Sequence, residues 1–421
     1  MCAAAVRSRC HMVLDAGLAG RLEHFAVDLA ALDGAAEYVA ETIRRNYPSL
    51  QVPPHARWRQ FVIDGEDRYA EAALKGIFSP EPNERARQRF ELAIISVLLD
   101  AGAGPKWRWQ EPVRPVRVED GKFATRPVGR SEGLALASLN AWVARFFASD
   151  RRRGFRADGA ALKALSAEAL GEAFLVSPDN PLEGLEGRVD LLNRLGDTIA
   201  ARPDLFGSEG RLGNLFDALQ RRAVGRKGVR HGGSDTLPTI AAPAILALVL
   251  EALGPIWPGR IVIEGINLGD SWRHPAIDVP GPTNGLVPFH KLSQWLSYSL
   301  IEPLEEAGIV VTDIDGLTGL AEYRNGGLFI DTGVLKPRSP TLYATALAPA
   351  DEPIVEWRAL TVALLDAIAP HVRSLLGVDA ARMPLASILE GGTWSAGRRI
   401  AREKRADGRP PLTIVSDGSV F

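Results

Sequence analysis

The stretch PFHKLSQWLSYSLIEPLE, from Pro288 to Glu305, decides the fold. Phe289, Leu292, Leu296 and Leu300 recur three or four residues apart and make one apolar stripe, while Lys291, Trp295, Tyr298 and Glu302 share a second face at the same spacing. That is an α-helix. Its second face either lines a pocket or lies in solvent with its two aromatics covering a neighbouring helix.

The same periodicity extends outward to Phe25–Tyr47, Asn83–Leu99, Glu132–Phe147 and Leu182–Ala200. Pro238 ahead of TIAAPAILALVLEAL and Pro353 ahead of IVEWRALTVALLDAI mark two more helix starts, where a missing N–H costs nothing, and Pro243 predicts a kink inside the first. Strand signals are short: Arg260–Ile263, Gly308–Thr312, Gly327–Ile330 and Leu412–Val415. The expected fold is therefore mainly α, a helical body with a small accessory β-sheet. At 421 residues the chain exceeds the length at which one hydrophobic core stops growing, so two interlocked subdomains are expected. We read residues 1–20 as a disordered N-terminus, 21–175 as an N-terminal helical subdomain, and 176–421 as a C-terminal one carrying most of the active site. The seam falls near Phe174–Asn180.

Composition narrows the function. A formal net charge of −2 argues against a general nucleic-acid surface, which would carry a basic excess. Both cysteines, Cys2 and Cys10, fall in the first ten residues, so neither a disulfide framework nor a thiolate metal site is proposed. With seven histidines and no HExxH, no metal and no other cofactor are expected. No apolar run reaches the roughly 18 residues of a membrane span, and the first twenty residues lack the unbroken run of a signal peptide. The reading is a cytoplasmic protein acting on a small molecule, with neither nucleic acid nor membrane as partner and its oligomeric state open.

The polar groups that carry chemistry concentrate in LTGLAEYRNGGLFIDTGVL, Leu317–Leu335. Apolar neighbours place Glu322, Tyr323, Arg324 and Asp331 in the interior, where an unpaired charge is costly. Either Glu322 and Arg324 form a structural ion pair beside a turn at Asn325–Gly327, or the carboxylate is used. GRKGVRHGGSD, Gly225–Asp235, puts Arg230 and His231 among glycines in a loop suited to an anion, with a solvated basic loop as the alternative; Asp235 stands as an N-terminal helix cap. EGINLGDSWRHP, Glu264–Pro275, groups Asp270 with Trp272 in a loop suited to a ribose or urea group. GRSEG, Gly129–Gly133, has the form of a nucleophile elbow, but the alternating strands and helices of a hydrolase sheet are missing, so Ser131 reads as a helix N-cap first and as the nucleophile of a serine hydrolase second.

Several blocks together resemble the uracil catabolism protein 4 family, the uracil-regulated proteins of fungi and bacteria. They are HARWRQFVIDGEDR at His55, SVLLDAGAGPKWRW at Ser96, SEGLALASLNAW at Ser131, NPLEGLEGRVDLLNRLG at Asn180, VPFHKLSQWLSYSLIEPLEEAGI at Val287 and the final SDGSVF at Ser416. A fainter similarity joins AEYRNGGLFIDTGVL and VEWRALTV to the Asp-Tyr-Arg segment and the Glu-x-Arg-Ala helix of the queuosine-nucleoside glycosylases, helical relatives of DNA glycosylases. The first resemblance implies a place in the route that releases urea from ribosylurea. The second implies a distantly DNA-glycosylase-like fold and hydrolysis of an N-glycosidic bond in a nucleoside-like substrate.

On that reading Glu322, where the glycosylases carry Asp, stabilises an oxocarbenium-like transition state and handles the attacking water. Arg324 orients it or binds a substrate oxygen, Asp331 is able to exchange roles with it, and Glu356 with Arg358 forms a supporting layer. Lys291 and Gln294 match a Lys and a Gln on the comparable glycosylase helix, beside Trp295. The acid that protonates the leaving urea is sought among Asp100, Asp235 and Asp270. A non-catalytic helical scaffold that binds other pyrimidine-degradation enzymes is the alternative of a different class.

Overall fold

The computed structural model describes residues 2–117, 123–227 and 236–415. The fold is mainly α. Its longer helices are α1 (Ala3–Leu18), α2 (Leu32–Asn46), α3 (Pro82–Leu98), α4 (Arg130–Val143), α5 (Leu185–Ala201), α6 (Ala242–Leu253), α7 (Lys291–Glu306), α8 (Tyr323–Asp331), α9 (Glu352–Leu376) and α10 (Ser395–Lys404). A single cluster of buried apolar side chains runs through all of them.

Helix α7 shows why the periodic stripe forms a core helix. Both of its faces are covered, so Leu292, Trp295, Leu296, Tyr298 and Leu300 are all buried, and the solvated alternative for its second face is excluded. Helix α9 is long and apolar enough to cross a membrane by length and composition alone, yet most of it is buried inside the protein, where it packs against α1, α2 and α8.

Residues 1–20, expected to be disordered, instead hold helix α1. Val6, Cys10 and Val13 are buried against α9, and the Arg7 guanidinium donates to Asp366 at 2.8 Å and to the carbonyl oxygens of Asp315 and Leu317. The sequence pattern of α1 is weak because small residues, Ala3, Cys10, Ala16 and Gly17, supply much of its buried face.

The strands form small ladders at the margins. Val224–Lys227, Thr236–Ala241 and Val310–Thr312 make a three-stranded sheet with Thr236–Ala241 in the middle, and Arg108–Arg117 pairs with Phe123–Gly129 in a long antiparallel hairpin. Pro112, Pro115 and Pro127 stand within that hairpin, because a two-stranded ribbon has free outer edges that tolerate prolines. Pro238 lies in a strand, and α6 starts at Ala242 with Pro243 in its first turn, so no kink arises. The first predicted helix likewise begins late, at Leu32, because Phe25–Val27 pairs as a strand with Leu335–Pro337.

Gly327–Ile330, expected to be a strand, is helical within α8, and the expected turn at Asn325–Gly327 is its first half. The paired glycines serve close packing: a Cβ on Gly326 would stand 2.7 Å from Thr361 Oγ1 and from the Trp357 ring of α9. Gly397 in α10 is tighter still, with its Cβ position 2.2 Å from the Arg324 carbonyl oxygen. These contacts bring α8, α9 and α10 together around the start of α8.

Candidate active site

A cavity of about 680 Å³ opens at the N-terminus of α8. Glu322 is the N-cap of that helix, its carboxylate accepting the N–H of Arg324 at 2.8 Å through Oε2 and that of Asn325 at 2.5 Å through Oε1. Each oxygen keeps a lone pair for a ligand. Burial pushes the Glu322 carboxyl above its usual range, while those two N–H groups, Lys291 and Arg324 act in the opposite direction.

The ion pair considered between Glu322 and Arg324 is absent among the described residues. Arg324 turns away to donate to the Gly408 carbonyl oxygen at 2.9 Å, with its guanidinium 5.0 Å from the Tyr323 ring centre. A capped helix leaves the carboxylate in place without an arginine.

Of the expected site residues, Asp100, Lys291, Trp295, Glu322, Tyr323 and Arg324 all line this one cavity. Lys291 Nζ lies 5.9 Å from the Trp295 ring centre; burial lowers its pKa, and the nearby Glu322 and Asp100 carboxylates oppose that. Burial also raises the Tyr323 phenol. Asp100 accepts from Arg57 Nη1 at 2.8 Å and from the Ser131 hydroxyl at 2.8 Å, so it stands as an acceptor, not as a proton donor.

Ser131 also lines the cavity, but its helix is capped from Gly129, and the Ser131 side chain gives no cap. Its hydroxyl accepts from Arg57 and donates to Asp100, and no imidazole is among its partners in the described residues, so a Ser-His pair is missing.

The remaining expected residues lie elsewhere. Asp270 and Arg358 form a buried bidentate pair, both bonds at 2.8 Å, and Asp270 also accepts from Trp272 Nε1 at 2.7 Å and from the backbone N–H of Lys291 at 3.0 Å. Burial alone would raise the Asp270 carboxyl, but Arg358 and these donors hold it well below the usual range, and it does not line the cavity. This group works one layer behind the cavity, since Arg358 also bonds the Ala321 carbonyl oxygen just ahead of Glu322.

Gln294 is buried against Thr318, bonding its side chain and accepting its N–H at 3.1 Å, and so secures the loop that leads to Glu322. Glu356 accepts the N–H of Phe25 at 2.8 Å and of His24 at 3.2 Å, which ties α9 to the Phe25–Val27 strand. His274, Glu352 and Glu356 bring ligand-type atoms within 4.8 Å of one another, yet Glu356 is already engaged by those N–H groups and by His274 Nε2 at 3.3 Å.

Asp331 ends α8 and pairs with Arg405, with Nη1 donating to Oδ1 at 2.9 Å. A helix rising about 1.5 Å per residue sets it roughly 13 Å from Glu322, too far to exchange roles. Arg230, His231 and Asp235 lie outside the described residues.

The sequence reading missed His55, Glu390 and Trp394. His55 lines the cavity between Trp295, with ring centres 6.0 Å apart at 24°, and Trp394, 5.4 Å apart at 44°. Its Nδ1 donates to Glu390 Oε2 at 2.5 Å. Glu390 and Trp394 sit in a π-helical stretch, Ile388–Trp394, of the kind that often marks functional sites. The conjunction of His with two aromatics was not readable from spacing, because its parts lie hundreds of residues apart.

One cavity of a helical protein thus combines a helix-capped carboxylate, a carboxylate-paired imidazole and several cations. A family model described as "Protein of unknown function (DUF1688)" matches residues 1–421, and the chain belongs to that family. It is 37% identical over 426 residues to the protein named "Protein urg3" of Schizosaccharomyces pombe, covering 99% of this chain and 96% of that one. To "Uracil catabolism protein 4" of Lachancea kluyveri it is 35% identical over 435 residues, covering 96% and 93%.

Proposed function

We propose that this protein acts in uracil catabolism by hydrolysing the C1′–N bond of ribosylurea, or of its 5′-phosphate, to ribose or ribose 5-phosphate and urea. The observation that carries this reading is Glu322: a buried carboxylate capping α8, with free lone pairs at the edge of a cavity of about 680 Å³, a volume suited to a small substrate. The name of the Lachancea kluyveri relative supports the pathway, and the similarity of AEYRNGGLFIDTGVL to a nucleoside-glycosylase segment motivates the choice of bond.

Positive charge develops on the sugar ring as the bond breaks. A carboxylate already fixed by two N–H groups stabilises that charge without reorganising, and it accepts a proton from the attacking water. Arg130 and Arg409, which also line the cavity, favour the phosphorylated form.

The test is urea release by the purified protein from ribosylurea and from its 5′-phosphate, with Glu322→Gln beside wild type. Urea from wild type, with loss in the variant of roughly 10²–10³-fold, supports the assignment. Folded wild-type protein that releases urea from neither compound returns the weight to a scaffold that binds other pyrimidine-degradation enzymes.

A further inference from the structure

Hydrolysis of a ribosylurea bond leaves one demand that Glu322 does not meet. Urea nitrogen is a poor leaving group unless it is protonated as it departs. Two of the carboxylates first considered are committed elsewhere, Asp100 as an acceptor for Arg57 and Ser131 and Asp270 in its pair with Arg358, and the third, Asp235, lies outside the described residues.

We infer that His55 is the general acid of this site and that Glu390 is its positioning residue. The inference rests on the hydrolase reading above and on three observations of geometry. The His55 ring lines the cavity that holds Glu322, its Nδ1 is taken by Glu390 Oε2 at 2.5 Å, and its Nε2 has no protein partner among the described residues. A buried imidazole whose Nδ1–H is held by a carboxylate has a fixed ring orientation and one reactive end, Nε2, which is an acid when the ring is the imidazolium, protonated at both nitrogens.

The surroundings hold the ring in that pose. Trp295 and Trp394 flank it, and the His55 N–H donates to the Ala386 carbonyl oxygen at 2.9 Å. Glu390 is presented by the π-helical stretch, whose Gly391 and Gly392 pack on the Val52 and Val39 side chains, each Cβ position 2.8 Å away. The stretch is tied to the catalytic helix as well, because Thr393 Oγ1 donates to Asn325 Oδ1 at 2.8 Å, two residues past Tyr323. One rigid unit therefore carries both the carboxylate cap and the imidazole's partner.

In the reaction, the electron pair of the C1′–N bond goes to the urea nitrogen, which takes the proton from His55 Nε2. Water oxygen bonds to C1′ and its proton passes to Glu322. Solvent then returns a proton to His55 and removes the one on Glu322, so the net change is addition of one water across the bond.

The test compares two leaving groups. Wild type, His55→Gln and Glu390→Gln are assayed on ribosylurea and on 4-nitrophenyl β-D-ribofuranoside, whose phenolate departs without a proton, and His55→Ala is assayed on ribosylurea with added imidazole. His55→Gln is expected to lose roughly 10²–10⁴-fold in kcat on ribosylurea, the usual worth of a general acid, with a far smaller loss on the nitrophenyl compound. Glu390→Gln shows the same selectivity at smaller amplitude, and imidazole restores turnover to His55→Ala. Equal losses on both substrates without imidazole rescue, or full ribosylurea turnover by His55→Gln, overturn the inference while leaving Glu322 in place. Wild type inert toward both substrates removes the hydrolase reading and this assignment with it.

Discussion

Glu322 illustrates how one residue meets a structural and a chemical requirement at once. As an N-cap it satisfies two N–H groups of α8, and the same bonds aim its oxygens at the cavity. Because burial raises its pKa and the proposed role needs the ionised form, kcat/KM should fall on acidification through a limb centred above the ordinary glutamate range. A pH–rate profile checks this: a limb at or below about 4.3 contradicts the role, since that is the unperturbed value. Glu322 was legible in the sequence as an acid among apolar residues. Its cap geometry was not, because the Asn325-Gly326-Gly327 run reads locally as a turn and only contact with Trp357 and Thr361 makes it helical.

At the scale of elements, close approach is set by glycines and helix starts by strain. Gly397→Ala should drive a methyl into the Arg324 carbonyl oxygen, separating α10 from α8 and costing about 1–3 kcal/mol of stability, as overpacking does. Gly34→Ala in α2 meets nothing within 4 Å and should stabilise by about 0.4–1 kcal/mol. Denaturant midpoints of the two variants test the contrast, and equal shifts would contradict it.

The start of α7 carries a pH dependence. His290 is buried with a left-handed φ of 49°, its Nε2 lacks a partner among the described residues, and burial lowers its pKa to about 4. The unfolded chain, with a pKa near 6.5, binds this proton first, so the native state loses stability as pH falls from about 6.5 toward 4, with a slope approaching about 1.4 kcal/mol per unit from this group. His290→Gln should flatten that part of the stability curve in unfolding titrations at pH 7, 6 and 5; an unchanged slope contradicts the assignment.

For the whole molecule, buried ion pairs connect segments that local pattern cannot relate. The Asp270–Arg358 pair joins the loop before Ser271, the first residue of α7 and the middle of α9, and its arginine reaches the backbone ahead of Glu322. Arg358→Met strands a buried carboxylate and should cost about 3–5 kcal/mol. It should also lower turnover more than a stability loss explains, because Ala321 is freed. Thermal unfolding and kcat measured on the fraction that remains folded separate the two effects.

The mainly helical class and most helix positions came from sequence alone, as did the expectation that Glu322, Lys291, Trp295 and Asp100 belong together, and these four line one cavity. Hydrophobic spacing is a local property, and a charge among apolar neighbours is recognisable without coordinates. Resemblance of ordered blocks added the family, which the full-length match establishes. Tertiary structure alone decided which polar groups meet. It sent Asp331 to Arg405, Glu356 to the backbone of Phe25, and Gln294 to Thr318, all away from the cavity. It also brought His55 to Glu390 across 335 residues of chain. The physical reason is that a buried polar group must find a partner, and the partner is selected by how the helices pack in space, not by spacing along the chain.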